Sequence, residues 1–263
     1  MNEPESPDAS VEVHGVFTVR REKSVTVIEL HRPEASNALR RQDKVDFTEL
    51  LAREARGAAR AIVITGSGSR AFCAGTDIKE MAGFSPQDSL TMLATEERMY
   101  EAVMAAPVPV IAAVQGVALG AGCVLVSCCD LVVAGESAKF GQPEVRNGAP
   151  APLHVALLPR IIGLNRARRM LYTCQSIDAA TAQEFGLVSE VVPDGQVLSR
   201  AKDLALNVAR FPPGALALQK QIIDSWIRDS FDTTVRRSAY IGGSAFSSDE
   251  PRQAITAFLE RPR

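Results

Sequence analysis

Two segments of this chain gather small residues, main-chain amides and the ends of apolar runs in patterns that can do chemistry. The first is Ile62-Val63-Ile64-Thr65-Gly66-Ser67-Gly68-Ser69-Arg70-Ala71-Phe72-Cys73-Ala74-Gly75-Thr76-Asp77-Ile78-Lys79. A strand-like run empties into a Gly/Ser turn and then a compact Ala-Gly-Thr-Asp corner. Ala74 and Gly75 carry so little side chain that a ligand can come close to main-chain N–H groups. A plain tight loop is the alternative reading. A P-loop is excluded, because no Gly-Lys-Ser/Thr follows. The second segment is Val110-Ile111-Ala112-Ala113-Val114-Gln115-Gly116-Val117-Ala118-Leu119-Gly120-Ala121-Gly122-Cys123. Here a strand runs into small residues and an apolar helix follows. The first N–H groups of that helix have no internal partner and the helix dipole is positive there. Negative charge that develops at that point would be stabilised.

Other chemistries find less support. The glycine spacing of the second segment also resembles the nucleotide loop of short-chain dehydrogenases. That reading needs the loop at the first strand and a Tyr-xxx-Lys pair. Here the loop is mid-chain, and none of Tyr100, Tyr172 or Tyr240 has a Lys four residues on. The only three histidines are His14, His31 and His154, and none pairs with another at ligand spacing, so no metal site is expected. A Ser-His-Asp triad has no local support. Cys73 and Cys123 flank the glycine segments without a basic neighbour, and they read as small buried fillers rather than nucleophiles.

The elements that must position these segments follow from periodicity. Strand-like runs lie at 24–30, 61–65, 110–114, 131–134 and 188–192. Helical composition spans 41–56, 87–105, 120–128, 152–162, 164–173 and 178–185. This alternation predicts an α/β core. From about Gln196 onward only helices are expected: 196–209, 213–228, 231–246 and 251–259, punctuated by Pro212–Pro213, Gly242–Gly243 and Pro251. The organisation predicted is a core over 1–195, with 1–10 as a mobile tail, and a helical C-terminal region over 196–263.

Composition sets outer limits. The chain has 263 residues, 46% hydrophobic and 23% charged, with 29 Lys plus Arg against 31 Asp plus Glu. The net charge of −2 argues against a sequence-independent nucleic-acid binder. No apolar run approaches the roughly 20 residues of a membrane span. The acidic, polar start is unlike a secretory or mitochondrial leader, and the five cysteines read as reduced and packed; both point to a cytoplasmic protein. Arg160, Arg166, Arg168 and Arg169 form a basic cluster, read as a solvated helix face.

Taken together, the two glycine segments resemble the enoyl-CoA hydratase/isomerase (crotonase) superfamily. Supporting pieces are Arg32-Pro33-Glu34-Ala35-Ser36-Asn37-Ala38-Leu39, Cys129-Asp130-Leu131, Phe140-Gly141-Gln142-Pro143-Glu144, Ala182-Gln183-Glu184-Phe185-Gly186-Leu187-Val188 and Ala257-Phe258-Leu259-Glu260. The resemblance covers about residues 15–261. It implies a crotonase-like spiral of ββα repeats whose helical C-terminal region mediates oligomerisation, as a homotrimer or hexamer. It also implies an acyl-CoA partner, with coenzyme A as part of the substrate and no separate cofactor; the charge balance and the lack of a long apolar run argue against a nucleic-acid or membrane partner.

The resemblance assigns roles residue by residue. The N–H groups of Thr76 and Ala121 would hold the thioester oxygen as it becomes an enolate, a contribution of about 3–4 kcal/mol per donor. Ala74, Asp77, Ile78 and Lys79 would line the seat of adenine and pantetheine, with Asp77 also bracing the loop and Arg252 a weaker candidate at that end. Two-carboxylate hydratases of the family carry one Glu on the helix after the second glycine segment and another in Gly-Gln-Pro-Glu. Here Glu144 occupies the second place and Val124 stands at the first. Valine cannot deprotonate a water, so the expected chemistry is a Δ3-to-Δ2 double-bond shift with Glu144 as sole proton carrier. A hydratase or lyase on a specialised acyl-CoA, with water held by other groups, is the alternative; a thioester hydrolase is third. A catalytically silent or RNA-binding scaffold is the non-enzyme alternative. His154 reads as a surface or capping residue, with an acyl-pocket position as the other option.

Overall fold

The computed structural model describes residues 10–229 and 231–260. The tail expected over 1–10 lies outside them, apart from Ser10, which opens the first strand. An antiparallel lead-in consists of β1 (Ser10–His14), β2 (Phe17–Glu22) and β3 (Val25–Leu30), and is followed by α1 (Arg41–Arg56). Then come β4 (Ala61–Gly66), β5 (Ala71–Cys73), α2 (Ile78–Met81) and α3 (Pro86–Met104). β6 (Val110–Val114), β7 (Val117–Leu119) and α4 (Ala121–Cys128) repeat that order. So do β8 (Leu131–Gly135), β9 (Lys139–Gly141), α5 (Pro152–Ile162) and α6 (Leu164–Thr173). β10 (Ile177–Asp178), α7 (Ala179–Glu184) and β11 (Glu190–Val192) close the sheets, and four helices end the chain: α8 (Val197–Val208), α9 (Pro213–Arg228), α10 (Phe231–Ser244) and α11 (Glu250–Leu259).

The first strand of each ββα unit enters one sheet and the second strand enters another. The larger sheet runs β1-β2-β3-β4-β6-β8-β11 and the smaller runs β10-β9-β7-β5. From β3 to β11 the larger sheet is parallel, with Val25 opposite Ala61 and Ile62 opposite Val110. The expected α/β class and ββα spiral are therefore present.

Parallel strands covered on both faces read as continuous apolar runs, and these strands alternate between two cores. Ile28, Leu30, Ile62, Ile64, Val110, Ala112 and Val114 face the main core with Phe47 and Leu51 of α1 and Phe72 and Phe140 of the small sheet. Val25, Val27, Ala61, Val63, Ile111 and Ala113 face the other side, where Val197, Ala201 and Ala205 of α8 cover them. The 195/196 boundary thus falls just before a helix that closes the sheet's second face.

Local signals set the ends. α3 is capped by Ser85, whose hydroxyl accepts from Asp88 N while the Asp88 carboxylate accepts from Ser85 N in a capping box, with Pro86 in the first turn. α9 is tied down by Lys220, whose Nζ reaches Val103 O at 2.9 Å, Val108 O at 3.2 Å and Asp130 Oδ2 at 2.6 Å. Among the described residues no helix is long and apolar enough to cross a membrane. All five cysteines are free thiols; burial pushes Cys73 up to about 11 and Cys123 up to about 12.

Candidate active site

The first corner follows β5 directly. It is braced from the Arg32–Leu39 segment, whose structural role was not legible from spacing. Asn37 is buried, in the left-handed region at φ 55°. Its Nδ2 donates to Ser67 O at 3.1 Å and Ala71 O at 2.7 Å, and its Oδ1 accepts from Arg32 N. Leu39 N donates to Gly75 O at 2.8 Å and Asp77 N to Leu39 O at 3.0 Å. Those two bonds straddle Thr76 and leave its own N–H unbonded among the described residues. Asp77 caps α2 through Lys79 N and pairs with Arg32 Nη1 at 2.6 Å. Burial opposes its charge, yet Arg32 and the Lys79 N–H hold the carboxyl below the ordinary carboxylate range.

The second corner packs against the first. Gly75 has φ +100°, and a methyl on it would lie 2.8 Å from Leu119 O and 3.2 Å from Ala121 N. Only glycine lets these two backbones approach so closely. Gly120 has φ +51° and its N–H donates to Gly141 O at 3.0 Å. Gln142 Nε2 donates to Gly120 O at 3.2 Å, and Tyr100 Oη donates to Ala121 O at 3.2 Å. Ala121 is the first residue of α4, so its N–H has no helical partner, and no other acceptor takes it among the described residues. Two free amides, Thr76 and Ala121, thereby come from neighbouring corners of two ββα units.

Glu144 faces them. It opens a short 3-10 turn over Glu144–Asn147, and a methyl on Gly120 would stand 3.0 Å from Glu144 Oε1. A cavity of about 480 Å³ joins Thr76, Ala121, Val124, Gln142, Glu144 and His154. Four buried side-chain polar atoms lack a hydrogen-bond partner among the described residues: Arg60 Nε, Gln142 Oε1, Glu144 Oε2 and His154 Nδ1. Three of the four belong to residues that line this cavity. Unpaired buried polar atoms are costly, and their concentration marks the place where a ligand would supply the partners. Burial, with a smaller contribution from the Glu96 charge, raises the Glu144 carboxyl above its ordinary value.

His154 corrects a reading from sequence. It is not a surface or capping residue: it is 1% exposed and lines the cavity. Pro152, itself exposed, starts α5, and His154 is buried two residues on. Its Nε2 lies 2.9 Å from Ser127 Oγ, and burial pulls the imidazole down to about 3.

A buried ion pair behind Thr76 was also not found from sequence. Lys44, 0% exposed, places Nζ 2.5 Å from Glu96 Oε1 and 2.8 Å from Thr76 Oγ1, and Thr76 Oγ1 donates to Glu96 Oε1 at 2.6 Å. The triad holds the Thr76 side chain and so orients the amide in front of it. A lysine on the buried face of an otherwise amphipathic helix was the available signal.

The remaining predicted residues divide. Ala74 and Ile78 line the cavity. Asp77 and Lys79 are not among its lining residues, and the Asp77 carboxylate is engaged by Arg32. Arg166 stacks on the Phe185 ring at 4.4 Å and reaches Glu184 at 3.7 Å. Arg252 pairs with Asp249 at 3.1 Å.

The geometry can be set against known proteins. The model of the enoyl-CoA hydratase/isomerase family matches residues 20–263. The short-chain-enoyl-CoA hydratase of Clostridium acetobutylicum is 32% identical over 245 residues, 92% of this chain and 94% of that protein. The crotonyl-CoA hydratase of Syntrophomonas wolfei is 34% identical over the same 92% and 94%. The crystal structure of an enoyl-CoA hydratase from Bacillus anthracis superposes with a TM-score of 0.86 at 30% identity, covering 96% of each chain.

Proposed function

The chain belongs to the enoyl-CoA hydratase/isomerase family, and from that membership we propose that it adds water to a 2-enoyl-CoA through an enolate held by Thr76 N–H and Ala121 N–H. The observation that carries the proposal is the single cavity that gathers both free amides and the unpaired Glu144 Oε2. The names of the relatives support hydration and move it ahead of the isomerisation expected from sequence.

One carboxylate suffices for the proton accounting. The thioester carbonyl accepts both amide hydrogen bonds, which strengthen as its oxygen gains charge. Glu144 takes a proton from water as the oxygen bonds to Cβ. It then returns that proton to Cα as the enolate collapses. A carboxyl raised by burial is better matched to both halves of this relay. Coenzyme A enters only as part of the substrate, with Ala74 and Ile78 on the wall where it would lie. A homotrimer or hexamer assembled through the helical C-terminal region is part of the same proposal.

Val124 supports a second reading. With no carboxylate at that place on α4, Glu144 can carry a proton between Cα and Cγ and shift a Δ3 bond to Δ2. Incubation of 2-enoyl-CoA and 3-enoyl-CoA in heavy water separates the readings. Solvent oxygen in the product means hydration; deuterium at Cα or Cγ alone means isomerisation; free CoA means hydrolysis and overturns both. Glu144→Gln is expected to lower turnover by on the order of 10²–10⁴-fold, and turnover near wild type would remove Glu144 from the mechanism.

A further inference from the structure

Hydration by one carboxylate leaves a requirement that Glu144 does not meet. The attacking water must be held by its second hydrogen while the first is removed. Val124 offers nothing for this, and the structure places another group beside it. Ser127 follows Val124 by three residues on α4, which puts both on one helix face. Ser127 Oγ donates to Cys123 O at 2.9 Å. A hydroxyl has one hydrogen; where Ser127 gives it to Cys123 O, the same oxygen accepts from His154 Nε2 at 2.9 Å. In that arrangement the imidazole is the Nε2–H tautomer, and its Nδ1 carries a bare lone pair. That atom is fully buried and has no partner among the described residues. His154, Val124 and Glu144 all line the one cavity. The depressed basicity of the buried ring keeps it neutral near pH 7, an acceptor rather than a cation.

We infer that His154 Nδ1 is the acceptor for the O–H that adds at the acyl β-carbon, first as water and then as the 3-hydroxyl of the product. The inference rests on the hydration reading and identifies the group that does the water-holding there. Atoms balance: one water hydrogen passes to Glu144 and on to Cα, the other stays on the new hydroxyl and remains bonded to Nδ1, and the histidine gains and loses no proton. The site would accordingly distinguish a 3-hydroxyacyl-CoA from the saturated acyl-CoA of the same length, which leaves Nδ1 unpaired.

The test uses the full chain labelled with ¹⁵N-histidine. His154 should show a protonated Nε2 and a bare-imine Nδ1. 3-Hydroxybutyryl-CoA should move the Nδ1 resonance toward that of a hydrogen-bonded imine, and butyryl-CoA should not. Wild type should bind 3-hydroxybutyryl-CoA about tenfold more tightly than butyryl-CoA, and His154→Phe should erase that preference. The same variant should lose hydration of crotonyl-CoA by on the order of 10²-fold but Cα deuterium exchange into butyryl-CoA only by a few fold. His154→Asn, whose Oδ1 can stand near the Nδ1 position, should recover part of both. Equal affinities in wild type, a preference that survives in His154→Phe, or exchange and hydration falling together in both variants would each overturn the assignment. If wild type exchanges the Cα proton but incorporates no solvent oxygen, the hydration reading fails by itself, and the hydroxyl preference and ¹⁵N shift still decide whether Nδ1 receives an O–H.

Discussion

Glu144, Glu96 and Lys44 form one electrostatic unit at the residue scale. Glu144 titrates above the ordinary carboxylate range because of burial first and the Glu96 charge second. If its ionised form is the base, kcat/KM should fall as pH drops through that raised value, so the acid limb should lie higher than for an exposed glutamate. Glu96→Gln removes the nearby negative charge and should move the limb to lower pH. Lys44→Met has the opposite sign: it leaves Glu96 uncompensated beside Thr76, raises the Glu144 limb and destabilises the fold by about 3 kcal/mol. Urea unfolding and pH–rate profiles of the two variants would check this; shifts in the same direction would show that Glu96 and Lys44 do not act on Glu144 through charge. The loss in Lys44→Met should be partly recovered in the double variant with Glu96→Gln, because no charge is then left buried alone.

Element by element, the site depends on strands of three residues. β5, β7 and β9 pair in parallel and end at the Thr76 corner, the Gly120 corner and the Gln142–Glu144 segment respectively. Each position proposed for catalysis therefore continues one strand of a single small sheet, and the spacing between them is set by strand separation rather than by loop conformation. Of the C-terminal helices, α8 covers the second face of the large sheet and α9 is tied to the core by Lys220. Lys220 reaches two carbonyl oxygens and Asp130, whose carboxyl is raised by burial despite that partner. Lys220→Met should cost about 2–3 kcal/mol, reduced from the fully buried case because the Asp130 side chain is 26% exposed. Asp130→Asn in the same background should return part of the loss in denaturant titrations. A neutral effect of Lys220→Met would show that α9 is held by apolar contact alone.

For the molecule as a whole, His154 makes stability depend on acid. Burial pulls its folded value down to about 3 from the ordinary 6.5, so the unfolded chain binds one more proton between these values. Its contribution is fully present above about pH 6.5 and is lost as pH falls toward 3, at about 1.4 kcal/mol per pH unit. His154→Asn should flatten the stability curve over that window; an unchanged slope would mean that the ring is solvated. Trp226 and Tyr240, 60% and 81% exposed on α9 and α10, lie in the region proposed for assembly. Light scattering should give a mass three or six times the 28.2 kDa chain, and Trp226→Glu should lower it if that surface is the interface. Much of this architecture was readable in advance. α1, α5, α6, α9 and β6 occupy the spans that apolar periodicity predicts, because a long amphipathic helix or a five-residue buried run writes its period into the sequence. The small sheet was not, since three residues are too few to show alternation, and β1 begins inside the segment read as tail. The two glycine corners were accessible through local motifs, because glycine turns and helix starts are properties of contiguous residues, whereas Thr76, Ala121 and Glu144 were assigned through the family resemblance. Lys44 and Glu96, 52 positions apart, and Ser127 and His154, 27 apart, meet only when α1 packs on α3 and α4 on α5. Sequence by itself determined which backbone groups could be left free; tertiary packing decided which side chains became buried beside them, because desolvation and hydrogen-bond partnership are set by neighbours distant in the chain.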